Sequence, residues 1–155
     1  DLLADKIPAL LSDPKYIYLI ILSVSLTLMF KLYKFNLSMN GKIYIICDAI
    51  GLSSFSIMGG LVAIEKDLNL ICVISFAMIT AIGGAIARDI ILNKVPLIFK
   101  TDFYAAISII LGFILFLLQY LALLNSISIF ILLCFGVALR LIAYLRKWHL
   151  SIIEI

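Results

Sequence analysis

The chain has 155 residues, of which 65% are apolar or aromatic and only 14% charged, with a formal net charge of +3 and a mean hydropathy of +1.25. A soluble domain of this size buries only about two-thirds of its chain surface and carries about 25% charged residues, so a soluble enzyme, a disordered chain and a small secreted disulfide scaffold are all excluded. What remains is an integral membrane protein with the lipid bilayer as its solvent, and a charge this small and scattered offers nothing to nucleic acid.

Residues 1–11 are apolar but too short to cross a bilayer, and the charges at Asp1, Asp5, Lys6, Asp13 and Lys15 leave no signal-peptide core. A first span is expected over residues 16–32, followed by a basic connection reaching Lys42. A second covers residues 43–64, interrupted by Asp48, with Glu65-Lys66-Asp67 as its turn. The third apolar segment starts at residue 68 and continues past Arg88, Asp89 and Lys94 to Pro96, too long for one straight span. Residues 103–139 carry no charge and suit two helices parted at Asn125-Ser126. The fold class is thus an all-α membrane bundle of five spans plus a stub, helical because lipid leaves no backbone group unpaired.

Threading these spans alternately puts Lys31, Lys34, Lys42, Lys94, Lys100, Arg146 and Lys147 on one side, and Lys6, Lys15 and Lys66 on the other. The first side is then cytoplasmic, and the C-terminus with it. Cys47, Cys72 and Cys134 lie in apolar stretches without metal-ligand spacing and read as small core residues.

Residues 1–16 align without gaps onto residues 89–104. Asp1 matches Asp89, Lys6 matches Lys94, Pro8 matches Pro96 and Tyr16 matches Tyr104, with apolar positions alike in kind between them. Helix-ending chemistry alone gives such a pattern, but four identities in register favour duplication. The division that follows assigns residues 1–38 to the end of a first repeat, 42–124 to a second repeat of three spans, and 125–155 to a terminal helix and cytoplasmic tail. A three-helix unit used twice must insert upside down the second time. In the second copy Asp89 follows Asp48 by 41 positions, a stretch the first copy lacks, so roughly 40–50 further residues are expected ahead of Asp1.

The informative stretches are Gly83-Gly84-Ala85-Ile86-Ala87-Arg88-Asp89, with Asn93, Lys94 and Pro96 beyond it, and Asp48-Ala49-Ile50-Gly51 ahead of it. In these the chain resembles the prokaryotic trimeric intracellular cation (TRIC) channel family, also catalogued as glycine-transporter-like membrane proteins. That family pairs a Gly-Gly-Gly-x-x-Arg-Asp motif with an Asp-x-x-Gly opening in each of two inverted repeats. Here Ala85 replaces the third glycine and Asn93 stands where a glycine is usual, a mild change because Asn also accepts left-handed backbone. The resemblance implies a homotrimer in a prokaryotic cell membrane with an ion path in each protomer. It also implies potassium or another monovalent cation as the permeant ion, with no cofactor.

The residues themselves leave alternatives open. Gly83-Gly84 suits either a kink that frees the carbonyls of residues 79–82 toward a polar cavity or close helix packing beside Ala77, Ala81 and Ala85. Asp48 lies six residues inside Lys42 and Arg88 six inside Lys94, so both sit roughly 9 Å in from their helix ends. Charges at that depth pair or face water; an Asp48–Arg88 or Arg88–Asp89 pair is expected, structural or gating, with Lys94 beside it. Ser53 and Ser56 share a stripe with Ala49 and Gly60 and are candidates to line a path, unless their hydroxyls bond back to the helix. The lone His149 beside Trp148 reads as an interfacial anchor. Gly83-Gly84 follows no strand, which excludes a dinucleotide loop, and beyond Asp48 and Asp89 the acids offer no acid/base pair to support catalysis. The expected function is a cation channel; a small-solute carrier, for example of glycine, is the alternative on the same scaffold.

Overall fold

The computed structural model describes residues 14–29, 42–91, 93 and 103–146. Five helices follow in chain order: α1 (Pro14–Met29), α2 (Lys42–Ile64), α3 (Leu70–Ile91), α4 (Phe103–Tyr120) and α5 (Ser126–Leu145). Two compact units divide the chain, Asp1–Tyr44 and Ile45–Ile155. In the first, α1 is a 16-residue helix whose apolar side chains, among them Ile17, Leu19 and Leu22, are exposed. The expected spans fall close to the observed helices. Tyr44–Ile64, Leu70–Ile91 and Ser126–Leu145 are long and apolar enough to cross a membrane, and the apolar helix Ala105–Tyr120 is shorter. Most of the sequence repeat (1–16 on 89–104) falls on residues 1–13 and 94–102, which with Lys94, Pro96 and His149 lie outside the described residues.

Local chemistry sets the helix ends in the second unit. α2 stops at a turn in which Leu68 N–H bonds the Ala63 carbonyl (3.1 Å) and Asp67 N–H bonds that of Ile64 (2.9 Å), with Asp67 at φ 51°. α4 stops the same way: Leu123 N–H to Leu118 O, Ala122 N–H to Gln119 O, and Ala122 at φ 54°. Both are Schellman closures, which satisfy the last carbonyls of a helix. Asparagines start the next helices. Asn69 Oδ1 accepts from Cys72 N–H (3.0 Å) at α3, and Asn125 Oδ1 accepts from Ser128 N–H (2.8 Å) at α5. The parting expected at Asn125-Ser126 is therefore the N-cap of α5, reached through a turn that begins at Leu121.

Packing runs inside out relative to a soluble protein. Leu52, Ala81, Ile107, Leu111 and Leu132 from all four helices form one buried core. Among the described residues six polar ones are also buried: Asp48, Ser53, Ser56, Asp89, Ser108 and Arg140. Large apolar side chains such as Ile71, Phe113, Phe130 and Ile131 point outward. That is the arrangement lipid demands. Cys47 and Cys134 are exposed and Cys72 half-buried, so the expectation of core cysteines is corrected; they take lipid-compatible apolar positions instead. Close approaches are made at glycine. A Cβ at Gly59 would strike the Phe76 carbonyl and lie 2.5 Å from Thr80 Oγ1, and one at Gly136 would lie 2.7 Å from Ser53 Oγ.

Candidate functional site

Two helices face each other across a cavity of about 240 Å³. Its walls are Asp48, Gly51, Leu52 and Phe55 from α2, and Ala81, Gly84, Ala85 and Arg88 from α3. Each set follows i, i+3, i+4, i+7, the stripe one helix face presents. Glycine and alanine at four of the eight positions leave the space unfilled, and the two ionised residues, Asp48 and Arg88, give it polarity. A larger depression between α4 and α5, about 320 Å³, is lined by apolar side chains and Ser128 and holds no charge.

Four charges meet at the polar end. Arg88 Nη1 donates to Asp48 Oδ1 at 2.9 Å, and Arg88 Nε donates to Asp89 Oδ1 at 2.9 Å. On the other side of Asp48, Arg140 Nη2 from α5 lies 3.6 Å from Oδ2, an ion pair rather than a direct hydrogen bond. Two acids and two arginines make the group neutral as a whole. Asp48 and Asp89 are almost fully buried, as is Arg140, while the Arg88 side chain is 35% exposed. A lone charge at this depth would be prohibitive; in a neutral hydrogen-bonded group the desolvation cost is largely offset.

The expected pairs, Asp48–Arg88 and Arg88–Asp89, are therefore both present. The break at Gly83-Gly84 is not. α3 runs as one α-helix from Leu70 to Ile91 through both glycines, and no described glycine has positive φ. Glycine weakens a helix by about 1 kcal/mol but keeps its donor and acceptor, so the ladder holds and the carbonyls of residues 79–82 stay inside it. The surplus length that favoured a break is taken up by an earlier stop: Asn93 sits at φ 51° with its N–H on the Ile90 carbonyl. Asparagine accepts that left-handed backbone, as its place in the motif led us to expect.

Ser53 and Ser56 also change role. Ser53 Oγ donates to the Ala49 carbonyl (2.9 Å) and Ser56 Oγ to the Leu52 carbonyl (2.8 Å); both residues are fully buried and neither lines the cavity. A hydroxyl in lipid-facing helices bonds back to its own turn where no water reaches it. Arg140 is the residue the sequence reading passed over. Its signal was present: it stands six residues inside Arg146, the same spacing that singled out Asp48 and Arg88.

The site can hold and shield charge, and a cation entering the cavity would meet the carboxylate of Asp48. Among the described residues, no group of three His, Cys, Asp or Glu is placed to hold a metal ion. Gly83 faces away from neighbours, since a Cβ there meets nothing within 4 Å. Gly83→Ala is accordingly expected to raise stability, by about 0.5–1 kcal/mol on helix propensity, read as a higher melting temperature in detergent. A fall would restore the case for a break.

Comparison with known proteins converges on one group of membrane proteins. A family model described as "Glycine transporter" matches residues 45–120. The chain is 32% identical over 149 residues to the UPF0126 membrane protein YvgT of Bacillus subtilis, covering 96% of this chain and 71% of the relative. It is also 32% identical to a UPF0126 membrane protein of Vibrio cholerae, of whose length it spans 58%. Among solved structures it resembles a TRIC cation channel at 33% identity with a TM-score of 0.78, over 99% of this chain and 75% of that one. A prokaryotic TRIC channel in 0.5 M KCl is similar at 31% identity and a TM-score of 0.76, over 96% and 74% of the two chains.

Proposed function

We propose that the chain, which belongs to the family formed by the UPF0126 membrane proteins and the prokaryotic TRIC channels, is a cation channel protomer that conducts monovalent cations, potassium among them, along the α2–α3 cavity. The observation that carries the reading is the neutral four-charge group opening onto a cavity inside a lipid-facing helical unit. Membranes tolerate buried ionisable residues chiefly where they serve an ion or substrate path. The likeness to solved TRIC channels supports the same reading. Our reading of the assembly is a homotrimer, as the family resemblance implies, with the outward apolar side chains of α3–α5 as contact surface, and the distribution of basic residues puts its C-terminus on the cytoplasmic side.

The path differs from one built on unwound carbonyls. With α3 continuous, the ion's water is replaced at the Asp48 carboxylate and kept elsewhere by the room that Gly51, Gly84 and Ala85 leave. Arg88, being positive, opposes cation entry unless its charge is held by Asp48 and Asp89.

Purified protein in planar bilayers under a KCl gradient tests this. Discrete currents reversing toward the potassium equilibrium potential are expected. Saturable glycine uptake without such currents would replace the channel by the carrier to which the "Glycine transporter" family description points. Gly51→Leu sharpens the path. A Cβ there meets nothing within 4 Å, so the side chain is accepted and enters the cavity. The expected result is normal folding with a several-fold smaller unitary current; an unchanged current would move the path elsewhere.

A further inference from the structure

We propose that the Phe55 ring is the constriction of this path, an apolar door at the end of the cavity away from the charges that sets the unitary conductance and the size of cation admitted. The proposal rests on the reading of the chain as a cation channel. Phe55 stands seven residues after Asp48, so it lines the α2–α3 cavity about 10 Å along the helix from that carboxylate. One turn farther on, about 6 Å, comes Gly59, where a Cβ would strike the Phe76 carbonyl. The helices touch there, and no passage runs between them. A cation that enters beside Asp48 therefore cannot continue along the helix pair. It has to leave the cavity sideways, past Phe55.

The side chains at that end single out the ring as the narrow point. Apart from the two charged residues, the walls are Gly51, Leu52 and Phe55 on α2 and Ala81, Gly84 and Ala85 on α3. Only Leu52 and Phe55 among these are bulky. Leu52 is 1% exposed and belongs to the buried core, so close packing fixes it. Phe55 is 45% exposed and lies over Gly84, where an added Cβ would meet ring atoms Cδ2 and Cε2, both at 3.6 Å. With no side chain on Gly84, the ring has room to change rotamer while both helix backbones stay in place. None of the six walls away from the charges has a polar side chain to replace an ion's water. An apolar constriction there excludes water, and the ion with it, until the ring turns aside.

Single-channel recording of the full chain in planar bilayers tests the constriction, with potassium and then tetramethylammonium as the permeant cation. Phe55→Ala is expected to pass a several-fold larger unitary potassium current and to raise the permeability of tetramethylammonium relative to potassium. Phe55→Leu should fall between that variant and wild type, and Phe55→Trp should pass less current than wild type. A merely structural ring would not produce this order, because lost packing lowers the number of folded channels and leaves the current of each alone. If Phe55→Ala does not fold, Phe55→Leu and Phe55→Trp decide. An unchanged current and permeability ratio in Phe55→Ala would make the ring a lipid-facing filler and overturn the proposal. A smaller current overturns it too, since the ring would then be helping the cation across its face. Gly51→Leu tells the two readings apart: if it reduces the current while Phe55→Ala leaves it alone, the path stands and the constriction falls. Wild-type protein that passes no cation current overturns the channel reading, and the constriction with it.

Discussion

Asp48→Ala is expected to cost about 3–5 kcal/mol, enough to leave little folded protein, because it takes away the acid that two arginines share. Arg88 would keep Asp89, but the Arg140 guanidinium, only 5% exposed, would lose its ion pair while remaining inside the unit. Its options are to stay there with less compensation or to drag α5 apart from α2. Either is expensive in a setting where water cannot take over. Melting in detergent, followed by circular dichroism, measures the loss. Glu65→Ala supplies the contrast: this acid is exposed in the α2–α3 turn, and a substitution there is expected to stay within about 0.5 kcal/mol of wild type. If Asp48→Ala melted like Glu65→Ala, the four-charge group would contribute nothing to the fold.

The polar half of this site could be read from the sequence because charge depth is countable. Asp48 stands six residues after Lys42 and Arg88 six before Lys94, which marks both as charges inside apolar spans; α3 ends at Ile91, three residues beyond Arg88, and the two side chains still meet at 2.9 Å. The same count applied to Arg140 and Arg146 completes the group, although Arg140 directly follows a long uncharged run and so stands where a span boundary also falls. The helix ends were equally legible, since Asn69, Asn125 and the Glu65–Asp67 turn carry their own capping chemistry. What the sequence could not settle was the use of its glycines. Gly83-Gly84 drew attention as a pair, although a glycine inside an apolar helix is either a weak point or a clearance, and only the neighbouring helix decides which. Here Gly84 borders the cavity, where a Cβ would meet Phe55 at an ordinary 3.6 Å, and a Cβ on Gly83 would meet open space. Ser53 and Ser56 failed as candidates for a related reason: a hydroxyl's direction depends on whether water or its own helix offers the better acceptor.

The glycine that packing does require is Gly59, and Gly59→Leu is expected to cost about 3 kcal/mol or more, at or beyond the upper end of ordinary overpacking. α2 and α3 approach so closely there that even a Cβ would strike the Phe76 carbonyl, 2.5 Å from Thr80 Oγ1 and 2.8 Å from Thr80 Cβ. A flexible side chain could swing aside, but a helix carbonyl and a β-branched residue cannot move without the backbone. Small residues at membrane helix contacts serve to bring backbones together in this way, since apolar side chains gain little by leaving lipid. Separating α2 from α3 at Gly59 would also act at a distance. The two helices carry Asp48 and Arg88 farther along the same pair, so a wedge between them strains the 2.9 Å link. Gly59→Leu should therefore both lower the melting temperature and alter channel opening in whatever protein still folds. Gly83→Leu, with nothing within 4 Å of its Cβ, should do neither; equal damage from the two substitutions would mean that α3 turns a different face to α2.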